Sequence, residues 1–201
     1  MSNERETIQH KGYEIETFYD EDAQSPNEWG NEDAFLVYDH RDFFVERKGF
    51  NPDDIFENLQ SGKKLYKGYF VFPVFAYIHS GVALSLGKNE YPFNDRWDVS
   101  FKGFALIKKE KGQGTNKKAY EIAKGIVEEW NTYLSGQVYG YSSEFGGVWG
   151  FYGEEGYKDM IAQAKEEIDS VIEKKIKEHG QRVKAYIKNH VPIEKRQALA
   201  V

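Results

Sequence analysis

Cysteine is absent from the chain, so neither a disulfide nor a thiolate metal site is available to it. That absence fits a reducing compartment, and the cytoplasm is the expected location. No segment approaches the roughly 18 consecutive apolar residues that a membrane helix needs. The opening residues, Met1 to His10, are polar and lack the apolar stretch of a secretory leader. Basic residues are scarce at the front: residues 1–60 carry 16 acidic and 5 basic side chains, a balance of −11. The remaining 141 residues are mildly positive, so the net charge of −6 hides a strong asymmetry.

What the chain has in quantity is aromatic content, 16%, and charge, 30%. Its 201 residues are enough to bury a real core in one domain. The densest aromatic and β-branched stretch runs from Tyr66 to Lys109. Within it, Tyr69 to Ile78 is almost wholly apolar, which predicts a central strand covered on both faces. Pro73 cannot donate to a ladder, so a bulge or a break is expected there. His79-Ser80-Gly81 reads as a turn into a strand from Val82 to Leu86. After a loop from Lys88 to Arg96, Trp97 to Lys109 supplies a third strand, the three forming a meander. Earlier, Gly12 to Tyr19 alternates, with Tyr13, Ile15, Thr17 and Tyr19 opposite Glu14, Glu16 and Phe18. Ala34 to Asp39 is a further strand, and Val138 to Ser143 with Val148 to Tyr152 reads as a hairpin.

Three helices are expected. Asn51-Pro52-Asp53-Asp54 opens a short one, with Asn51 capping free amides and Pro52 at the first helical position. From Ala119 the apolar residues recur at three and four, an amphipathic helix that should lie on the sheet, capped by Thr115. Glu154 to about His179 is a long helix whose apolar face fades beyond Glu173. Gly180 should weaken or interrupt it. The expected class is therefore α+β: a mostly antiparallel sheet of about six to seven strands, a short helix, an amphipathic helix packed on the sheet and a long C-terminal helix. Residues 1–11 read as a flexible lead-in to a single domain over 12–201, with a basic helical extension from about 173.

Chemistry is thinly signalled. Five histidines are present but none forms an HExxH pair, and no metal or cofactor is expected. Asp39-His40 with Asp42 would need a further carboxylate to hold a metal. His79 and Ser80 could combine with Asp95 or Asp98 as a Ser–His–Asp set, although adjacent Ser and His seldom reach triad geometry. Gly112-Gln113-Gly114-Thr115 precedes a helix without a Walker or Rossmann pattern. Lys174, Lys175, Lys177, Arg182 and Lys184 offer a basic surface for nucleic acid. Against these stands the acidic front of the chain: Asp20, Asp22, Glu28, Glu32 and Asp33 surround Trp29, which either pins a polar loop to the core or anchors a partner.

The segments Asp22-Ala23-Gln24-Ser25-Pro26-Asn27-Glu28-Trp29-Gly30-Asn31, His79-Ser80-Gly81, Pro92-Phe93 with Trp97-Asp98, Val138-Tyr139-Gly140-Tyr141 and Trp149-Gly150-Phe151-Tyr152-Gly153 occur in that order. Together they resemble a family of small bacteriophage and mobile-element proteins, over roughly residues 12 to 160. The chain departs from the family at Gly30, where aspartate is usual, and in its long basic C-terminal helix. The resemblance implies a phage origin and assigns no catalytic role. Phage accessory proteins of this size often inhibit host defence nucleases, so the leading expectation is an inhibitor. It would bind a host defence protein or ribonucleoprotein, a CRISPR effector or a restriction enzyme, through its acidic surface. A small-molecule or nucleotide hydrolase and a nucleic-acid-binding protein are the alternatives.

Overall fold

The computed structural model describes residues 4–87, 99–110 and 116–196. Among the described residues ten strands follow in chain order: β1 (Glu4–His10), β2 (Tyr13–Tyr19), β3 (Ala34–His40), β4 (Phe43–Val45), β5 (Leu65–Tyr66), β6 (Tyr69–Ile78), β7 (Val82–Leu86), β8 (Val99–Lys108), β9 (Val138–Ser143) and β10 (Gly146–Tyr152). The helices are α1 (Pro52–Gln60), α2 (Lys117–Leu134), α3 (Gly153–His190) and a single turn, α4 (Ile193–Arg196). The class is α+β, with every strand pair antiparallel.

The strands form two sheets. The larger runs β4-β3-β8-β6-β5, with β7 also paired to β6, and the smaller runs β1-β2-β9-β10. The apolar run in β6 has its reason here, because helices cover both faces of the larger sheet. Phe72, Val74 and Ala76 meet α2 through Ala123, Ile126, Val127 and Trp130. Tyr69 and Val71 join Ile55 of α1 on the other side. Strand β8 alternates in the same way, with Ala105 and Ile107 on the α2 side and Phe104 and Leu106 on the α1 side. A register shift between Val74 and Phe75 gives the bulge that Pro73 predicts.

The meander is replaced by another order. β6 and β7 form the expected hairpin, but β8 pairs with the opposite edge of β6, placing β6 between them. Such a crossing is invisible to local pattern, since either edge of a buried strand offers the same hydrogen bonds. Residues 4–10, expected within the lead-in, form β1 and pair with β2 through a turn at Lys11 (φ 50°) and Gly12 (φ 87°). Two consecutive positive-φ residues match the twist of a tight hairpin. His10 Nε2 lies 2.7 Å from Asp169 of α3, which ties β1 to the helix beneath it.

Asn51 caps α1 as expected, accepting from the Asp53 amide at 2.8 Å. Thr115, the expected cap of α2, lies outside the described residues, and Asn116 occupies the cap position. The Asn131 side chain of α2 bonds both backbone groups of Leu84, accepting from its amide at 2.7 Å and donating to its carbonyl at 2.9 Å. Gly180 does not interrupt α3, which is continuous over 38 residues. Met160, Ala164 and Ile168 bury its first half against the smaller sheet. The rest leaves that core, and Ile176 is 67% exposed.

Candidate functional site

The smaller sheet has a covered face and an open one. Alternation in β2 sends Ile15 and Thr17 under α3 and leaves Glu14, Glu16 and Phe18 on the opposite side. Pairing across the sheet sets Phe18 opposite Gly140 of β9, and Gly140 opposite Trp149 of β10. The absence of a side chain at Gly140 lets the Trp149 indole lie flat across the sheet, 5.7 Å from the Phe18 ring. Trp149 remains 51% exposed there. Glu14 and Glu16 continue the same face toward the β1–β2 turn, Glu14 Oε1 accepting from Gln9 Nε2 at 2.8 Å.

At the far end of β2 the chain turns outward. The Asp20 amide donates to the Val138 carbonyl at 2.8 Å, and the loop then closes into a 3-10 turn over Pro26–Trp29. Two side chains set that turn. Glu28 Oε2 accepts from the Ser25 amide at 2.7 Å, and these Ser25 hydrogen bonds hold its carboxyl below the usual value. Asn27 bridges to β3, donating to the Leu36 carbonyl at 2.7 Å and accepting from its amide at 3.1 Å. Trp29 is thereby held edge-on against Tyr152, with ring centroids 4.8 Å apart. Tyr152 in turn donates to the Gln24 carbonyl, and burial raises its phenol. Trp29 is both a pin for the loop and a surface group, since it stays 44% exposed.

Between these parts lies a concavity of about 790 Å³. Phe18, Tyr19, Trp29, Trp149 and Tyr152 line it with aromatic surface, and Asp20, Glu21 and Asp22 supply carboxylates. Among the described residues no lysine or arginine lines it. Among the described residues, no basic side chain forms an ion pair with Asp20, Glu21 or Asp22. Negative charge and half-exposed indoles side by side make a surface suited to a cation carried on an apolar stem.

The expected acidic residues therefore divide. Asp20, Asp22 and Trp29 meet at the groove, whereas Glu28 serves the loop's own turn. Glu32 and Asp33 precede β3 and do not line the groove. Asp33 pairs with Lys108 at 2.6 Å, and that hydrogen bond raises the lysine. Trp149, Tyr152, Glu14 and Glu16 join the site without a signal in residue order that marks them for it. The alternation of β2 already placed Glu14, Glu16 and Phe18 on one face, but only the pairing of β2 with β9 brings β10 beside them.

The alternative sites are less complete. His79 and Ser80 are exposed in the β6–β7 turn, where the His79 amide donates to the Gly81 carbonyl at 3.1 Å. Asp95 and Asp98 lie outside the described residues, as does Gly112 to Thr115. Asp42 is bound by Arg41 through two hydrogen bonds of 3.0 Å, which lower its carboxyl, and its amide donates to His40 Nδ1. Among the described residues no three His, Asp or Glu side chains converge as a metal would require. Of the basic residues on α3, Lys175 sits over the rings of Tyr13 and Phe145, and Arg182 pairs with Glu178 at 3.8 Å. Lys174, Lys177 and Lys184 are exposed. No helix of the described residues is long and apolar enough to cross a membrane. Comparison of the chain with protein-family models, curated proteins and solved structures finds no match.

Proposed function

We propose that the protein is a phage-encoded inhibitor that acts in the cytoplasm of an infected bacterial host by docking on a basic protein surface. Its partner is a host defence nuclease, a CRISPR effector or a restriction enzyme. The nucleic-acid channel of such an enzyme is basic, and the carboxylates of the groove occupy it in place of phosphates. One observation carries the reading: Asp20 and Asp22 stand beside exposed Trp29 with no cation among the described residues paired to them. A charged surface left in this state favours fast, salt-sensitive association with an opposite charge. The resemblance to phage and mobile-element proteins supports the choice of partner class.

The test is cleavage of DNA by a panel of purified CRISPR effectors and restriction enzymes, titrated with the protein. Inhibition should be stoichiometric with one or more of them and should weaken as salt rises. Loss of inhibition in Asp20→Asn/Asp22→Asn, with the fold intact, supports the docking mode. Inhibition that is sub-stoichiometric and abolished by His79→Ala alone would establish an enzyme instead.

A further inference from the structure

The open face of the smaller sheet does more than present negative charge, because its groups are regularly spaced. Glu14, Glu16 and Phe18 occupy alternate positions of one straight strand, so their side chains emerge about 6.8 Å apart along it. An extended peptide has the same repeat between its own alternate residues. At one end of the row the Trp149 indole lies against Phe18, and the aromatic groove with Asp20 and Asp22 follows directly. Carboxylate, carboxylate and aromatic thus form a ladder, and every group on it favours a cation on a long stem. Arginine fits best, since its planar guanidinium stacks on an indole and also bonds a carboxylate through two donors.

We infer that this face binds an extended segment of a partner protein in which arginines alternate with small residues. One guanidinium enters the groove beside Trp29 and Trp149, and the next ones meet Glu16 and Glu14. The inference rests on the docking mode proposed above and names the partner's chemistry. It also assigns Trp149, Glu14 and Glu16 to the binding surface. Glu32 and Asp33 are left out of it, because the ladder and the groove lie elsewhere.

Three synthetic seven-residue peptides test it against the full-length protein. One alternates four glycines with three arginines, one has the same composition with the arginines contiguous, and one carries citrulline in place of arginine. Binding is followed by the indole NMR signals of Trp29 and Trp149. The alternating peptide should bind about 5-fold tighter or more than the contiguous one, and citrulline should abolish binding, as loss of the cation removes both interactions. Trp149→Phe and Glu16→Gln should each weaken the alternating peptide while leaving circular dichroism unchanged. Equal affinity for the two arginine peptides, or binding that moves neither indole signal, overturns the inference. If no peptide binds while nuclease inhibition still depends on Asp20 and Asp22, the arginine ladder falls and the inhibitor reading stands. If the alternating peptide binds as expected but no nuclease is inhibited, the ladder stands and the partner class falls.

Discussion

The indole of Trp149 lies directly over the α-carbon of Gly140 on the neighbouring strand, so that a β-carbon built there would come within 2.1 Å of the ring. Glycine is required at this position by close approach, not by backbone conformation. Gly140→Ala should therefore push the indole off the sheet. The expected cost is about 1–3 kcal/mol, as for overpacking at a tight contact. It is read as a lower urea midpoint with unchanged slope. Partner binding should fall with it, because the aromatic end of the open face is dismantled.

Neutralising the groove should separate stability from binding. Asp20→Asn/Asp22→Asn alters one half-buried and one exposed carboxylate outside the core, so stability should stay within about 0.5 kcal/mol of the parent. Affinity for a basic partner should drop several-fold at low ionic strength, and the difference should shrink as salt screens the charges. Asp33→Asn is the matched control: it removes the Lys108 pair and should leave affinity unchanged. Equal loss in both variants would mean that general charge, not the groove, governs binding.

Asn27 acts on the site without lining it. Its amide occupies both backbone groups of Leu36 and so fixes the turn that carries Trp29. Asn27→Ala leaves those two groups without their partner, at a cost of about 1–3 kcal/mol. Limited proteolysis should then cut within residues 20–31 faster than in the parent. Binding should weaken as Trp29 loses its position.

At high pH the tyrosine under α3 should contribute to the loss of stability. Burial, with help from its hydrogen bond to Glu167, pushes the Tyr141 phenol up to about 12 from an ordinary 10.0. The folded state thus favours the neutral phenol, whereas the unfolded chain ionises near 10.0. Stability from this group is complete below the lower value and is lost as pH rises through the upper one. Tyr141→Phe should flatten this alkaline decline, measured as urea midpoints across that range. An unchanged slope would show that another group controls it.

Much of this molecule is written locally. The alternation of β2, the three-and-four stripe of α2, the Asn51 cap and the bulge after Pro73 each depend on neighbours within a turn or two, and each is readable from residue order. Three features are not. β1 contains only one aliphatic side chain, Ile8, so its pairing with β2 leaves no hydrophobic trace. β8 must choose between two equivalent edges of β6. The groove needs β2 to meet β9, more than a hundred residues later, before Phe18 and Trp149 can touch. For the same reason residue order alone presents the acidic residues around Trp29 as one surface, although Lys108 takes Asp33 and Ser25 takes Glu28. Burial parity is a property of one strand, but a site is a property of how strands are joined.

The pair of hydrogen bonds from Asn131 to Leu84 bears on how the protein behaves in a crowded solution. A strand at the rim of a sheet ordinarily displays unsatisfied amides and carbonyls to any passing chain. Here the Asn131 side chain takes both Leu84 groups at the middle of β7, so those two are closed to another molecule's backbone. One side-chain amide thereby fills the place of a backbone partner, so a further chain reaching β7 at Leu84 would have to displace it.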